Sequence, residues 1–151
     1  MFQNINIMFS KTCEYGIKAV LYIAVRSLKN ERVKIGDIVE HIGSPEAFTG
    51  KILGVLSKNN IVASYTGPNG GFEIDRDRLN TISLADIVSA IDGDALFDGC
   101  ALGLDECDDQ HPCPMHESFS LMRNQLRDML RKTTVYELAI GLEKGESLLM
   151  R

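Results

Sequence analysis

Three cysteines, Cys100, Cys107 and Cys113, lie within fourteen residues of one another, spaced C-x6-C-x5-C, with His116 three residues beyond the last. Thiolates are soft metal ligands, and a loop without regular structure can wrap three of them around one centre. An iron–sulfur cluster takes protein ligands at four positions. Three cysteines leave one position for a weaker ligand, and an exchangeable position suits sensing better than plain electron transfer. Zinc is an equally reasonable occupant by spacing, since a Cys3His set is tetrahedral zinc chemistry. Bare thiols acting as a metal-free redox switch are a third reading. Asp98, Asp105, Glu106, Asp108, Asp109 and Glu117 flank the cysteines. Their charge disfavours added electrons and should lower the reduction potential of any cluster. A catalytic cysteine is poorly supported, because no ordered third group or substrate pocket is legible. The fourth cysteine, Cys13, falls inside a helical pattern and reads as a small packing residue.

The elements that must position this loop begin with three helices. Ile17, Val20, Leu21, Ala24 and Leu28 form an amphipathic stripe over residues 10–29. Ile35, Ile38, Val39 and Ile42 repeat it over a short helix that Gly43 stops. Ser44 and Pro45 then suit a helix start, with serine as cap, and a third helix is expected from Pro45 to about Lys58. Its expected buried face is Phe48, Ile52, Leu53 and Leu56. Two short helices on so tight a turn make a helix-turn-helix. Two β-type runs, Ile61–Tyr65 and Phe72–Ile74, flank the Gly/Pro/Asn cluster of residues 66–71 and predict a hairpin, hence a wing.

In such a module the second helix enters the major groove by its N-terminal residues. Ser44, Thr49, Gly50 and Lys51 are the candidates at that end, with Lys58 as a backbone contact at the other. Thr66, Asn69 and Gly70 belong to a wing tip small enough for a minor groove, but that tip carries no arginine, so its readout should be weak. The net charge of −5 looks unsuited to DNA, yet it is unevenly spread. Residues 1–70 hold eight Lys/Arg against five Asp/Glu, and the remainder eight against sixteen. A cationic half permits phosphate contact. Glu40 and Glu46 near the turn oppose it.

Ser83 and Asp86 read as a capping box opening a further helix, with Leu84, Ile87, Val88 and Ile91 inward. Beyond the cysteine loop, Phe119, Met122, Leu126, Met129, Thr133, Tyr136 and Ile140 alternate by three and four, predicting one long helix with a dimer seam. The expected fold class is mainly α, a winged helix-turn-helix domain with a long C-terminal dimerisation helix. Its expected divisions are an N-terminal extension (1–8), the DNA-binding domain (9–80), a connecting helix (81–98), the cysteine-rich loop (99–116), and the dimerisation helix with tail (117–151). With 44% hydrophobic and 25% charged residues, no span of membrane length and no signal-peptide pattern at the start, a cytoplasmic protein without membrane contact is expected. Met8 is an equally good start.

Four features in this order resemble the Rrf-two family of winged-helix regulators, including iron–sulfur sensors of the IscR and NsrR type. They are residues 11–19 (Lys11, Cys13, Glu14, Tyr15 and Gly16 among them), residues 44–53, the wing 67–71 and the cysteine loop. The likeness covers the chain from Phe9 to about Gly141. It implies a homodimeric regulator, most simply a repressor, on a double-stranded, roughly palindromic operator. It implies a 2Fe–2S or 4Fe–4S cluster on Cys100, Cys107 and Cys113, responding to redox state, nitric oxide or iron–sulfur supply. The fourth ligand would be His116 in the IscR-like pattern, or Glu14 of the partner subunit in the NsrR-like one. The chain departs from the family in having six rather than five residues between the first two cysteines, in Thr66 where a wing arginine is usual, and in the stretch Thr49 to Lys51. The rival readings are a zinc-binding or metal-free thiol-redox winged-helix regulator, and a protein-binding adaptor without DNA function.

Overall fold

The computed structural model describes residues 8–149 except 101, 103, 106 and 107. Helix α1 spans Lys11–Leu28, and Ser10 caps it by accepting the Cys13 N–H at 3.0 Å. Helix α2 (Ile35–Ile42) ends at Gly43, whose φ of 67° lies in the left-handed region that glycine enters without a Cβ penalty. Helix α3 (Glu46–Lys58) follows. Ser44 does not cap it as expected. Its hydroxyl lies 2.5 Å from the Thr49 hydroxyl, which in turn donates to the Pro45 carbonyl at 2.9 Å. The turn between α2 and α3 is thus closed by a buried pair of hydroxyls.

Strands β1 (Ala63–Tyr65) and β2 (Gly71–Glu73) pair antiparallel, with Ser64 opposite Phe72. Val33, just before α2, exchanges both backbone hydrogen bonds with Phe72 and adds a short third edge. Two one-turn helices that sequence periodicity is too coarse to detect complete the picture: α4 (Arg76–Leu79) and α6 (Ala95–Asp98). Between them α5 (Leu84–Asp92) opens on the expected capping box, with Ser83 N–H on Asp86 at 2.9 Å and Asp86 N–H on Ser83 at 3.2 Å.

The expected single C-terminal helix is two: α7 (His116–Lys132) and α8 (Val135–Glu143). Residues 133–135 leave the helix to pair with the backbone before α5. Leu84 N–H donates to the Thr133 carbonyl at 3.0 Å, and Val135 N–H to the Ile82 carbonyl at 2.9 Å. Thr134 then caps α8 by accepting the Glu137 N–H. The β-branched run Thr133-Thr134-Val135 favours this extended step, while the three-four rhythm of apolar residues runs straight across it. The break turns α8 back onto α1, where Val135 and Ala139 are fully buried.

Helix α1 is the axle of the main core. Val20, Ile23 and Ala24 on it pack with Ile38, Leu53, Leu56, Leu79 and Ile87. A smaller cluster joins Cys13, Ala85, Val88, Phe97 and Leu130, tying the start of α1 to α5, α6 and α7. Cys13 is the packing residue its position predicts, with no exposed surface. Burial, reinforced by the nearby Asp92 carboxylate, pushes its thiol from the ordinary 9.0 up to about 12. The folded value lies above the unfolded one, so the stability from keeping this group neutral is complete below pH 9. It declines as pH rises toward 12. At pH 8 the native protein should therefore resist alkylation at Cys13 and accept it only after denaturation, as read by peptide mass spectrometry. Equal labelling rates with and without urea would show that this cluster is open.

Candidate functional site

Two surfaces hold the candidate residues: the exposed side of α3 with the hairpin, and the cysteine loop between α6 and α7. On α3 the buried side is Thr49, Ile52, Leu53 and Leu56. Ser44 and Thr49 therefore do not face a base edge. Both are 5% exposed or less and bonded to each other. The buried stripe of α3 runs Thr49, Ile52, Leu53, Leu56, an i, i+3, i+4, i+7 pattern that includes Thr49 and leaves Phe48, one position round the helix, facing outward. Phe48, expected in the core, is 55% exposed. Gly50, Lys51 and Lys58 face solvent as expected, as do Gly54 and Val55. This face offers two ammonium groups for phosphate and an aromatic ring of the kind that contacts a thymine methyl.

On the wing, Thr66 and Asn69 are exposed, whereas Gly70 is buried. A Cβ on Gly70 would stand 2.4 Å from the Tyr65 carbonyl oxygen, so this glycine shapes the turn instead of meeting DNA. No helix among the described residues is long and apolar enough to cross a membrane.

In the cysteine loop the sulfurs of Cys100 and Cys113 come within 3.8 Å of each other, both half-buried. His116 opens α7, and its N–H donates to the Cys113 carbonyl at 3.0 Å, so cysteine and histidine share one turn. The His116 ring is largely buried, with Nε2 at 2.8 Å from an Asp109 carboxylate oxygen and 3.5 Å from the Ser120 hydroxyl. Cys107 lies outside the described residues. Among those described, no three potential ligands gather into one metal site. Glu14 stands in the first turn of α1, with its carboxylate 3.3 Å from the Lys11 ammonium.

Two residues that sequence reasoning missed hold the front of this loop. Arg127 donates to the Phe97 carbonyl and to the Asp98 carboxylate at 2.5 and 2.7 Å. Arg123, one turn earlier on α7, donates to the Gly99 carbonyl at 2.6 Å. They satisfy carbonyls left open at the end of α6 and deliver Cys100 to the helix that carries His116. Their i, i+4 spacing on the helix after the loop was the available signal.

Comparison with known proteins agrees with this architecture. The Rrf2 family model, described as iron-dependent transcriptional regulator, matches residues 9–140. A protein of Aquifex aeolicus (strain VF5), named for HTH-type transcriptional regulation, is 30% identical over 140 residues, covering 91% of this chain and 94% of that one. The HTH-type transcriptional regulator IscR of Vibrio vulnificus (strain YJ016) is 29% identical over 124 residues, covering 82% of this chain and 72% of its own. Among solved structures, CymR of B. subtilis, titled its global cysteine regulator, superposes with a TM-score of 0.70. The identity is 17%, with 93% of this chain and 98% of that one covered. Family and relatives are transcriptional regulators, not enzymes. A helix-turn-helix, a short antiparallel wing and a family match over nearly the whole fold agree, and the chain belongs to the Rrf2 family of winged-helix transcriptional regulators.

Proposed function

We propose that this protein is a homodimeric repressor of the cytoplasm whose operator binding is set by an iron–sulfur cluster on Cys100, Cys107 and Cys113, with His116 as fourth ligand. The observation that carries the reading is the 3.8 Å approach of the Cys100 and Cys113 sulfurs, one turn from His116. Two sulfurs bound to one tetrahedral metal at about 2.3 Å stand about 3.8 Å apart. In a 2Fe–2S centre each iron takes two protein ligands, whereas in a 4Fe–4S centre each takes one, so its thiolates lie farther apart. The spacing favours 2Fe–2S. His116 is favoured over Glu14 of the partner subunit because it already sits beside Cys113, while Glu14 is paired with Lys11.

A bound cluster supplies a redox- and nitric-oxide-sensitive centre that cross-links the loop. The chain's own residues do the rest. Arg123 and Arg127 fix the approach to Cys100, and Asp109 orients the His116 ring. The exposed apolar side of α7, with Phe119 at 40%, Met122 at 63% and Met129 at 52% exposure, is what a second copy would cover. Pairing two copies presents two α3 helices to the half-sites of a palindrome, through Gly50, Lys51, Lys58 and Phe48, with Thr66 and Asn69 of each wing alongside.

A second reading has its own support. The sulfurs of Cys100 and Cys113, 3.8 Å apart, are neighbours that an oxidant could join as a disulfide, and the fold is shared with a protein titled a cysteine regulator. Zinc at the same ligands is the third possibility. Anaerobic absorption with iron, sulfide and zinc analysis separates them. The cluster-bearing protein should be brown, with absorbance at about 400 nm, iron and acid-labile sulfide in equal amounts, and loss of both in Cys113→Ser. Colourless protein with about one zinc, or with a Cys100–Cys113 disulfide after mild oxidant, would replace the cluster by the corresponding rival.

Variants refine the site. His116→Ala should shift the visible bands and speed cluster loss, while Glu14→Gln leaves both unchanged; the reverse pattern would move the fourth ligand to α1. Arg127→Ala should weaken retention against an iron chelator by roughly tenfold, the usual scale for a group that orients a ligand, without unfolding the protein. Unchanged retention would mean that the arginine only caps α6.

A further inference from the structure

The wing is too small to hold its own shape. Its strands share three residue pairs, and beyond Thr66 the tip from Gly67 to Gly70 is glycine, proline and asparagine. An isolated two-stranded hairpin is marginal even when longer. What holds it comes from outside it. Arg32, in the connection between α1 and α2, lays its guanidinium over the Tyr65 ring at 3.7 Å from the centroid. The same group donates to the Asn69 carbonyl at the tip at 3.1 Å, and faces the Glu73 carboxylate with Nε at 3.2 Å and Nη2 at 3.5 Å. One side chain thus touches the end of β1, the tip and the end of β2. The next residue, Val33, supplies the backbone pairing with Phe72 and packs so tightly on Gly71 that a Cβ there would meet the Val33 oxygen at 2.8 Å.

We infer that Arg32 is the positioning residue of the wing, setting its contribution to DNA affinity by ordering residues 65–73 and not by touching phosphate. Three features decide between the two roles. The guanidinium is engaged within the protein on one face by Tyr65 and along its edge by Asn69 and Glu73, while its side chain stays 37% exposed. Glu73 offsets its charge, which a phosphate contact would need. The geometry also requires a planar fork that stacks and donates at once, which lysine cannot reproduce. Such an outside staple suits a wing whose own sequence has Thr66 and no arginine to anchor it in a groove. The inference rests on the DNA-binding reading of this family.

The test uses full-length protein and a duplex recovered by the wild type from a random-sequence library. Arg32→Ala should bind that duplex about tenfold more weakly, the scale of one lost stacking and ion-pair contact. The slope of log affinity against log salt should stay unchanged, and hydrogen exchange should quicken at residues 66–72 in the absence of DNA. Arg32→Lys should behave like the alanine variant, and Tyr65→Leu, which leaves every charge in place, should follow both. A salt slope reduced by about one with normal wing exchange, or wild-type affinity in Arg32→Lys, would overturn the inference in favour of direct phosphate contact. Wild-type affinity in all three variants would also overturn it. Failure of the wild type itself to recover any duplex would instead bring down the DNA-binding reading beneath it.

Discussion

Bringing two sulfurs to 3.8 Å across twelve intervening residues of acidic, glycine- and proline-bearing chain is the constraint on which the proposed sensing site depends. Closing such a loop costs conformational entropy, and its carboxylates repel one another. The protein meets both costs by anchoring the two ends on one helix. The back end is α7 itself, which begins at His116. The front end is held by Arg123 and Arg127 from the same helix, and their positive charge faces the acidic segment. Both described ends of the loop are therefore anchored on α7, so a change at the sulfurs would reach that helix first.

From there the packing is contiguous to the DNA-binding half. Phe97 and Leu130 share a cluster with Cys13 on α1. Ser10, at the head of that helix, donates from its N–H to the Asp92 carboxylate at the end of α5 at 3.0 Å. Three residues on from Cys13, Gly16 lets Ile91 of α5 and Ile52 of α3 approach so closely that a Cβ would stand 2.2 Å from one and 3.3 Å from the other. Helix α1 is thus in contact with the loop's support at one end and with the recognition helix along its side. Such contiguity supplies a route; coupling requires that two states of the loop favour two placements of α3.

Much of this was legible in the sequence because it follows from local rules. Helix stripes, the Gly43 stop, the Ser83–Asp86 capping box and the Gly/Pro/Asn wing each depend on residues a few positions apart, and the structure places them where the rules do. Errors arose where a distant partner decides. Ser44 has a good cap's chemistry, but Thr49 takes its hydroxyl. Phe48 has a core residue's composition, but the buried stripe of α3 runs through Thr49 and leaves Phe48 outside. The C-terminal apolar rhythm spans residues 119–140, but the backbone of 82–84 claims residues 133–135 and breaks the helix. Arg32 carries no such local signal, and the i, i+4 spacing of Arg123 and Arg127 marks one helix face without naming its targets, since each donates to backbone carbonyls that only the fold brings near.

In the proposed mechanism the state of the cysteine loop sets DNA affinity. This dependence is tested most directly by measuring binding to one selected duplex, at one salt concentration, by a single anaerobic preparation before and after its metal is stripped. The two affinities should differ by roughly fivefold or more, the lower end of ordinary coupling between sites, and re-loading should restore the first value. Equal affinities for loaded and stripped protein, with the dimer intact in both, would contradict it.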